Sequence, residues 1–207
     1  MSKEDERMNR HLIRKLALIV AVALMGISVS QSAWGGFKEG MDAYLRKDYL
    51  TAFKELKPVA ERGDAEAQYN IAVMYERGLG VVKNYKESVK WLRKAVTKGF
   101  PKAQSSLGQR YYYGEGVPQD YKEAVKWFRN AAEQGDAIAQ SRLGVMYGQG
   151  RGVLKDIVMA YMWWIIASAS GDKDSVMFRS FSEKIMSSSE IQEATHLARE
   201  WIRKHKR

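Results

Sequence analysis

The chain has 207 residues, 45% of them hydrophobic, and its 34 Lys and Arg outnumber its 24 Asp and Glu, which gives a formal charge of +10. At about 150 residues per domain, this length suits one domain or two small ones. The sequence contains no cysteine, which excludes disulfides, Cys-ligated zinc and a cysteine nucleophile. Its three histidines leave little room for a histidine-based metal or acid–base site, and we predict no metal and no cofactor.

The N-terminal segment has the pattern of an export signal. Basic residues between positions 7 and 15 precede the apolar run Leu16–Val29, and small and polar residues follow at 30–33. This order of regions is typical of a secretory signal. We therefore predict a signal peptide over 1–33 and a periplasmic or secreted mature chain.

The same segment allows two other interpretations. No charged residue lies between Leu16 and Phe37, so an uncleaved segment 16–37 would anchor the chain in the inner membrane with its remainder facing the periplasm. A buried helix of a cytosolic protein is the other alternative.

A 36-residue repeat organises the rest of the chain. Its three copies cover residues 63–98, 99–134 and 135–170, and self-similarity at such a period indicates a solenoid of stacked units. Each copy is predicted to hold two helices joined by a G-x-G-V loop. The first glycine of that loop suits a left-handed helix C-cap. Phosphate binding by this loop is disfavoured, because a third glycine and a preceding strand are missing.

The first helix of each copy, at about 65–77 in copy one, carries small and apolar residues at the spacing of one helical face. Small residues recur at Ala72, Gly108 and Gly144. We predict that they let a neighbouring backbone approach closely, with a ligand cavity as the alternative.

The second helices are predicted to begin after the N-caps Asn84, Asp120 and Asp156. Glu87 and Glu123 stand three residues after the first two of these caps, which predicts capping boxes. The aromatic residues that recur in these helices are predicted to be core, since burying each ring removes about 150–250 Å² from water. A sugar-stacking platform or cofactor site is the alternative.

The same pattern extends to both ends. Residues 34–62 are predicted to form an N-terminal helix pair with Met41, Tyr44 and Leu45 directed inward. Residues 171–207 are predicted to form two capping helices and a basic tail, with the polar outer face that the end of a solenoid needs. A capping box is predicted at Ser187 and Glu190.

These motifs resemble Sel1-like repeats, relatives of tetratricopeptide repeats. The resemblance rests on the G-D-A-x-A-Q opening, the Y-x-x-G-x-G-V loop and the D-Y-K-E-A-V-K-W second helix. It implies an all-α fold, a right-handed α-solenoid or superhelix of Sel1-like helix pairs with a C-terminal capping pair. It also implies an adaptor or scaffold role in bacterial envelope or signalling assemblies. Relatives with penicillin-binding or β-lactamase activity carry a disulfide in each repeat, whereas this chain has no cysteine.

The first hypothesis for function is therefore a non-catalytic module that binds another protein on the concave face of the solenoid. The first-helix positions not assigned to the core are the candidates for lining that face. These candidate partner-binding residues are Tyr69, Val73, Glu76, Arg110, Tyr112, Tyr113 and Met146.

The sequence leaves two other classes of function open. A cell-wall hydrolase needs a nucleophile with a base, or paired carboxylates in a pocket, and the sequence shows no G-x-S-x-G, H-E-x-x-H or S-x-x-K motif. A basic tail can also dock on a polyanion or an anionic membrane surface. Its candidate residues are Arg199, Arg203, Lys204, Lys206 and Arg207. No nucleic-acid motif is present, so nucleic acid is not predicted as a partner.

Overall fold

The computed structural model describes residues 36–205, so the predicted signal peptide, Lys206 and Arg207 lie outside the described residues. Over that range the chain is all-helical, with ten helices and no strand. In chain order they are α1 (36–45), α2 (Tyr49–Glu61), α3 (Ala65–Arg77), α4 (Tyr85–Val96), α5 (Pro101–Tyr113), α6 (Tyr121–Glu133), α7 (Ala137–Gln149), α8 (Ile157–Ala169), α9 (Lys173–Ser182) and α10 (Ser188–His205).

The helices form an α-solenoid. Each first helix, α3, α5 or α7, packs against its own second helix and against the second helix of the preceding pair. Contacts therefore run between neighbouring units along the chain, as the 36-residue repeat predicts. No helix within 36–205 combines the length and the hydropathy that crossing a membrane requires.

The second helices start at the predicted caps, but the capping boxes are incomplete. The Asp120 carboxylate accepts the backbone N–H groups of Lys122 and Glu123. The N–H of Asp120 itself donates to the Tyr111 carbonyl at 2.9 Å, so Glu123 is not needed there. Glu123 instead accepts from Lys126 and from the indole of Trp127. The prediction of a reciprocal box at Asn84 and Asp120 was therefore wrong, because carbonyls in the last turn of the preceding first helix, those of Tyr75 and Tyr111, accept the cap N–H groups.

The small residues of the first helices make room for side chains of the second helix of the same pair. We had predicted that they make room for a neighbouring backbone. Gly108 lies against the ring of Phe128, and Gly144 lies against Trp164. A Cβ atom added at Gly144 would come within 2.3 Å of the indole nitrogen of Trp164. The recurring aromatics of the second helices thus fill the core, where Phe128 and Trp164 are buried.

The glutamine of the G-D-A-x-A-Q motif ties consecutive units together. The buried Gln68 donates to the Ala60 carbonyl at 3.0 Å, and Gln140 donates to the Ala132 carbonyl at 3.1 Å. Both carbonyls lie near the end of the preceding second helix, where backbone acceptors have no partner within the helix. The same carbonyls also accept the backbone N–H groups of Gly63 and Gly135, so each glutamine adds a second hydrogen bond that joins one unit to the next.

At the N-terminal end, α1 faces α2 through Gly40, Ala43 and Tyr44, while Leu45 is exposed. The inward prediction for Leu45 was wrong, because it lies about 200° around the helix from the buried Ala43. Helix α2 continues through Pro58 to Glu61.

At the C-terminal end, α9 and α10 do not form a pair with each other. Each packs on α8, and α10 buries Ala194 and Ala198 there. Helix α9 leaves apolar side chains exposed, so the prediction of a polar outer face fails for this helix. It buries only Ser175 and Ser182. The capping box at Ser187 and Glu190 is confirmed in both directions.

Candidate functional site

The outward surface of α3, α5, α7 and α9, here called the first-helix face, is where the sequence predicted the partner-binding residues, and the structure places some of them there. Tyr69 and Val73 lie on it, half-buried. The Tyr69 ring packs on Phe100 with centroids 5.5 Å apart, and burial raises the pKa of its hydroxyl. Both residues keep part of their surface available at this face.

Arg110 does not belong to the accessible part of this face. It is 4% exposed and pairs with Glu76 at 3.2 Å and with Glu115 at 2.6 Å. Its guanidinium also lies over the Tyr85 ring, 5.1 Å from the centroid. The prediction that Arg110 lies on the surface was wrong. The prediction that Glu76 binds a partner also changes, because its carboxylate already pairs with Arg110.

Met146 is fully buried, so its placement on the surface was also wrong. It occupies the same repeat position as Met74 and Arg110, 36 residues apart, and that position is buried in all three copies. Aligning the three copies would have predicted a buried position here, since Met74 and Met146 are both apolar.

Tyr112 and Tyr113 are adjacent in the sequence but differ in how much of each side chain is exposed. The ring of Tyr112 is half-buried and meets Tyr121 edge-on with centroids 5.4 Å apart, under the Arg151 guanidinium. Tyr113 is exposed and lies at the accessible edge of α5. Of the two, Tyr113 is free to contact a partner, and Tyr112 fills the space between neighbouring units.

A groove of about 550 Å³ lies between α7 and α9, and sequence analysis missed it. Trp164 of α8 lines it from below, and Met177, Phe181 and Ile185 line it from α9 and the turn that follows. Phe181 and Ile185 are 64% and 65% exposed. The groove is therefore an apolar opening on the first-helix face.

One glycine of α7, Gly148, lies in the lining of the groove. Gly148 occupies the repeat position that holds Tyr112 in copy two and Glu76 in copy one. Without a side chain at Gly148 the Trp164 ring packs closely on this position, because its edge would lie 3.3 Å from a Cβ atom there. Phe178 packs on the same ring, with centroids 5.1 Å apart. Comparing the copies position by position would have revealed this signal in the sequence.

The electrostatics of the groove are simple. Of the residues between 36 and 205, Lys155 is the one ionisable side chain in its lining, and no Asp or Glu from that range lines it. Among residues 36–205, no cluster of three or more His, Asp or Glu side chains is arranged to hold a metal ion.

The basic end of α10 is separate from this groove. Arg199, Arg203 and Lys204 are exposed there, and Arg203 pairs with Glu200 at 3.1 Å. His205 stacks on Trp201 with ring centroids 3.9 Å apart.

The family model of the Sel1 repeat matches residues 65–100, 101–136 and 137–172. The chain belongs to the Sel1 repeat family. The three matches reproduce the 36-residue period and cover about half of the chain, and no curated protein matches it. Sel1 repeat proteins are generally scaffolds for protein–protein interaction, and their fold is typically a non-catalytic module.

Solved structures support the same assignment. A Sel1 repeat protein from Oxalobacter formigenes is 37% identical over 62% of this chain and 96% of its own, with a TM-score of 0.57. A protective antigen present in uropathogenic Escherichia coli strains, which displays an SLR fold, is 29% identical over 88% of this chain, with a TM-score of 0.60. This Sel1 repeat chain matches 48% of that antigen's length.

Proposed function

We propose that this chain is a non-catalytic scaffold that binds a segment of another protein on the first-helix face, which forms the concave side of the superhelix. The observation that carries the proposal is the apolar groove between α7 and α9, where Phe181 and Ile185 remain exposed. Soluble proteins seldom leave contiguous apolar surface uncovered, and such patches mark interaction sites. Tyr113 adds an exposed aromatic side chain to the same face.

Site-specific photo-crosslinking in the native cell tests this proposal. A benzophenone amino acid replaces Tyr113 or Phe181 on the first-helix face, and Lys126 on the second helix α6 as the matched exposed control. We expect a defined protein adduct at 113 or 181 and none at 126. Adducts confined to 126, or the absence of adducts at all three positions, would contradict the proposal.

We also propose that the chain acts in the bacterial cell envelope, exported by residues 1–33. The support is the order of basic, apolar and small residues in that segment. Mass spectrometry of the mature N-terminus tests it. We expect cleavage near position 33 or a membrane-bound chain that faces the periplasm, and an intact Met1 in the soluble cytosolic fraction would refute export.

A further inference from the structure

The row of exposed side chains along the groove has helical spacing. Met177, Phe181 and Ile185 follow one another at intervals of four residues, and all three line the groove. Eight residues of helix, a little over two turns, extend about 12 Å at 1.5 Å per residue. An amphipathic helix places its apolar residues at intervals of three or four positions, so its apolar stripe matches a row of this length.

The lining favours a helix over an extended peptide. Gln149, Lys155 and Ser182 are its polar side chains, and Ser182 is itself buried. An extended segment would bring unpaired backbone N–H and C=O groups into this apolar surface, where each unpaired group is costly. A helix pairs these groups internally and presents side chains alone.

The positive charge of Lys155 in the groove favours an acidic helix over a basic one. Lys155 stands at its edge without a lining carboxylate, on a chain whose formal charge is +10. A basic helix would be repelled there, whereas an acidic side chain beside the apolar stripe would pair with Lys155.

We propose that the groove between α7 and α9 binds an amphipathic, acidic helix of a partner protein. The apolar stripe of that helix lies on Met177, Phe181 and Ile185 above Trp164, and an acidic residue pairs with Lys155. This inference rests on the proposed scaffold function and specifies its site and the chemistry of its partner.

A displayed peptide library tests the helix and its charge. The library holds peptides of roughly 14 residues, about four helical turns, with every position varied, and selection uses the purified full chain. We expect enriched peptides to carry apolar residues at helical spacing with Asp or Glu beside them. Enrichment of proline-containing or Lys-rich peptides, or no enrichment, would overturn the proposal.

Binding of the best synthetic peptide, followed by fluorescence polarisation, tests the location. Phe181→Lys and Ile185→Lys should each weaken binding about tenfold or more. Val176→Lys is the matched control, because Val176 is 55% exposed on the same helix but does not line the groove. It should change affinity less than about twofold. Equal losses in all three variants would place the peptide elsewhere.

The Lys155→Glu variant tests the charge pair. It should weaken binding of the acidic peptide by about two- to fivefold, the range of an exposed ion pair, and improve binding of the peptide with Glu replaced by Lys. An unchanged preference would overturn the acidic part of the proposal.

A second copy of this chain is the competing occupant. Sedimentation of the wild type and of Phe181→Lys decides between the two, since a dimer that this substitution dissociates would overturn the proposal. The crosslinking experiment tests the scaffold function independently of this groove. Protein adducts at Tyr113, together with a peptide library that gives no enriched peptides, would support the scaffold function and reject this groove as a helix-binding site.

Discussion

Arg110 shows that a repeat position can bury a charged residue when its neighbours neutralise it. The guanidinium lies between Glu76 of the preceding unit and Glu115 of its own loop. Removing one member of such a buried group leaves the other charges uncompensated. Arg110 therefore links copies one and two, and its substitution is expected to affect stability first.

Arg110→Ala should lower the free energy of unfolding by about 3 kcal/mol, because it removes both the ion pairs and the packing of a buried side chain. Arg110→Met should lose clearly less, since Met occupies this position in copies one and three. Urea denaturation followed by circular dichroism measures both. Equal losses for the two variants, or none for Ala, would contradict this role.

Gly116 is a second residue whose identity is set by its surroundings. Its φ is +77°, and a Cβ would lie 2.4 Å from the Tyr85 carbonyl oxygen at the start of α4. The second glycine of each G-x-G-V loop thus lets the loop rest on the second helix of the preceding unit. The sequence predicted a turn at this loop but not this contact.

Gly116→Ala is expected to destabilise the chain by about 3 kcal/mol or more, from left-handed strain plus the backbone clash. Gly135→Ala is the control, because Gly135 has φ +89° but nothing within 4 Å of its Cβ position. It should cost only the strain, about 1–2 kcal/mol. Thermal unfolding compares them, and indistinguishable midpoints would refute the proposed contact.

At the scale of helices, the capping residues and the neighbouring helix determine where each helix begins and how it is held. Helix α10 starts with a complete capping box, in which Glu190 accepts from the Ser187 backbone at 2.8 Å. These hydrogen bonds, the backbone one first, lower the pKa of the Glu190 carboxyl. The box fixes the start of the helix that covers α8.

Ser187→Ala keeps the backbone donor and removes the hydroxyl, so it should raise the pKa of Glu190 part of the way toward its ordinary value, measured by an NMR pH titration. Because the folded-state pKa is the lower one, the stabilisation is present above the ordinary glutamate pKa and is lost as pH falls through the folded value. The variant should therefore be less stable than wild type at neutral pH and approach it in acid. A Glu190 titration that is the same in the variant and in wild type would show that the Ser187 hydroxyl does not hydrogen-bond to this carboxylate.

Much of this element structure follows from the sequence. The period, the caps at Asp120 and Asp156 and the glycine ends of the first helices are local signals, and the helices begin and end where they indicate. The burial of Arg110 depends on carboxylates 34 and 5 residues away, which the pattern of a single helix does not reveal. The groove at Gly148 depends on a difference between copies. The path of α10 onto α8, past α9, depends on packing between distant segments.

At the scale of the whole molecule, the main departure from the repeat is that α9 has no second helix of its own packed on it within residues 36–205. Helix α9 buries only two serines, while each first helix of the three repeats buries at least five residues. The solenoid therefore ends in a weakly held helix that carries the apolar row of the groove. An element with little buried apolar surface opens locally at low free energy.

Amide hydrogen exchange of the full chain should show α9 exchanging faster than α5 and α6. The physical reason is that its backbone hydrogen bonds are protected by few buried apolar contacts. Protection of α9 equal to that of the central repeats would contradict this description of the C-terminal end.

The same exchange measurement, repeated with the partner identified by crosslinking, tests the central claim most directly. If the first-helix face is the binding surface, the partner will slow exchange in α7 and α9 and leave α4 and α6 unchanged. Protection confined to the second helices, with α9 exchanging as fast as in the free chain, would contradict the account.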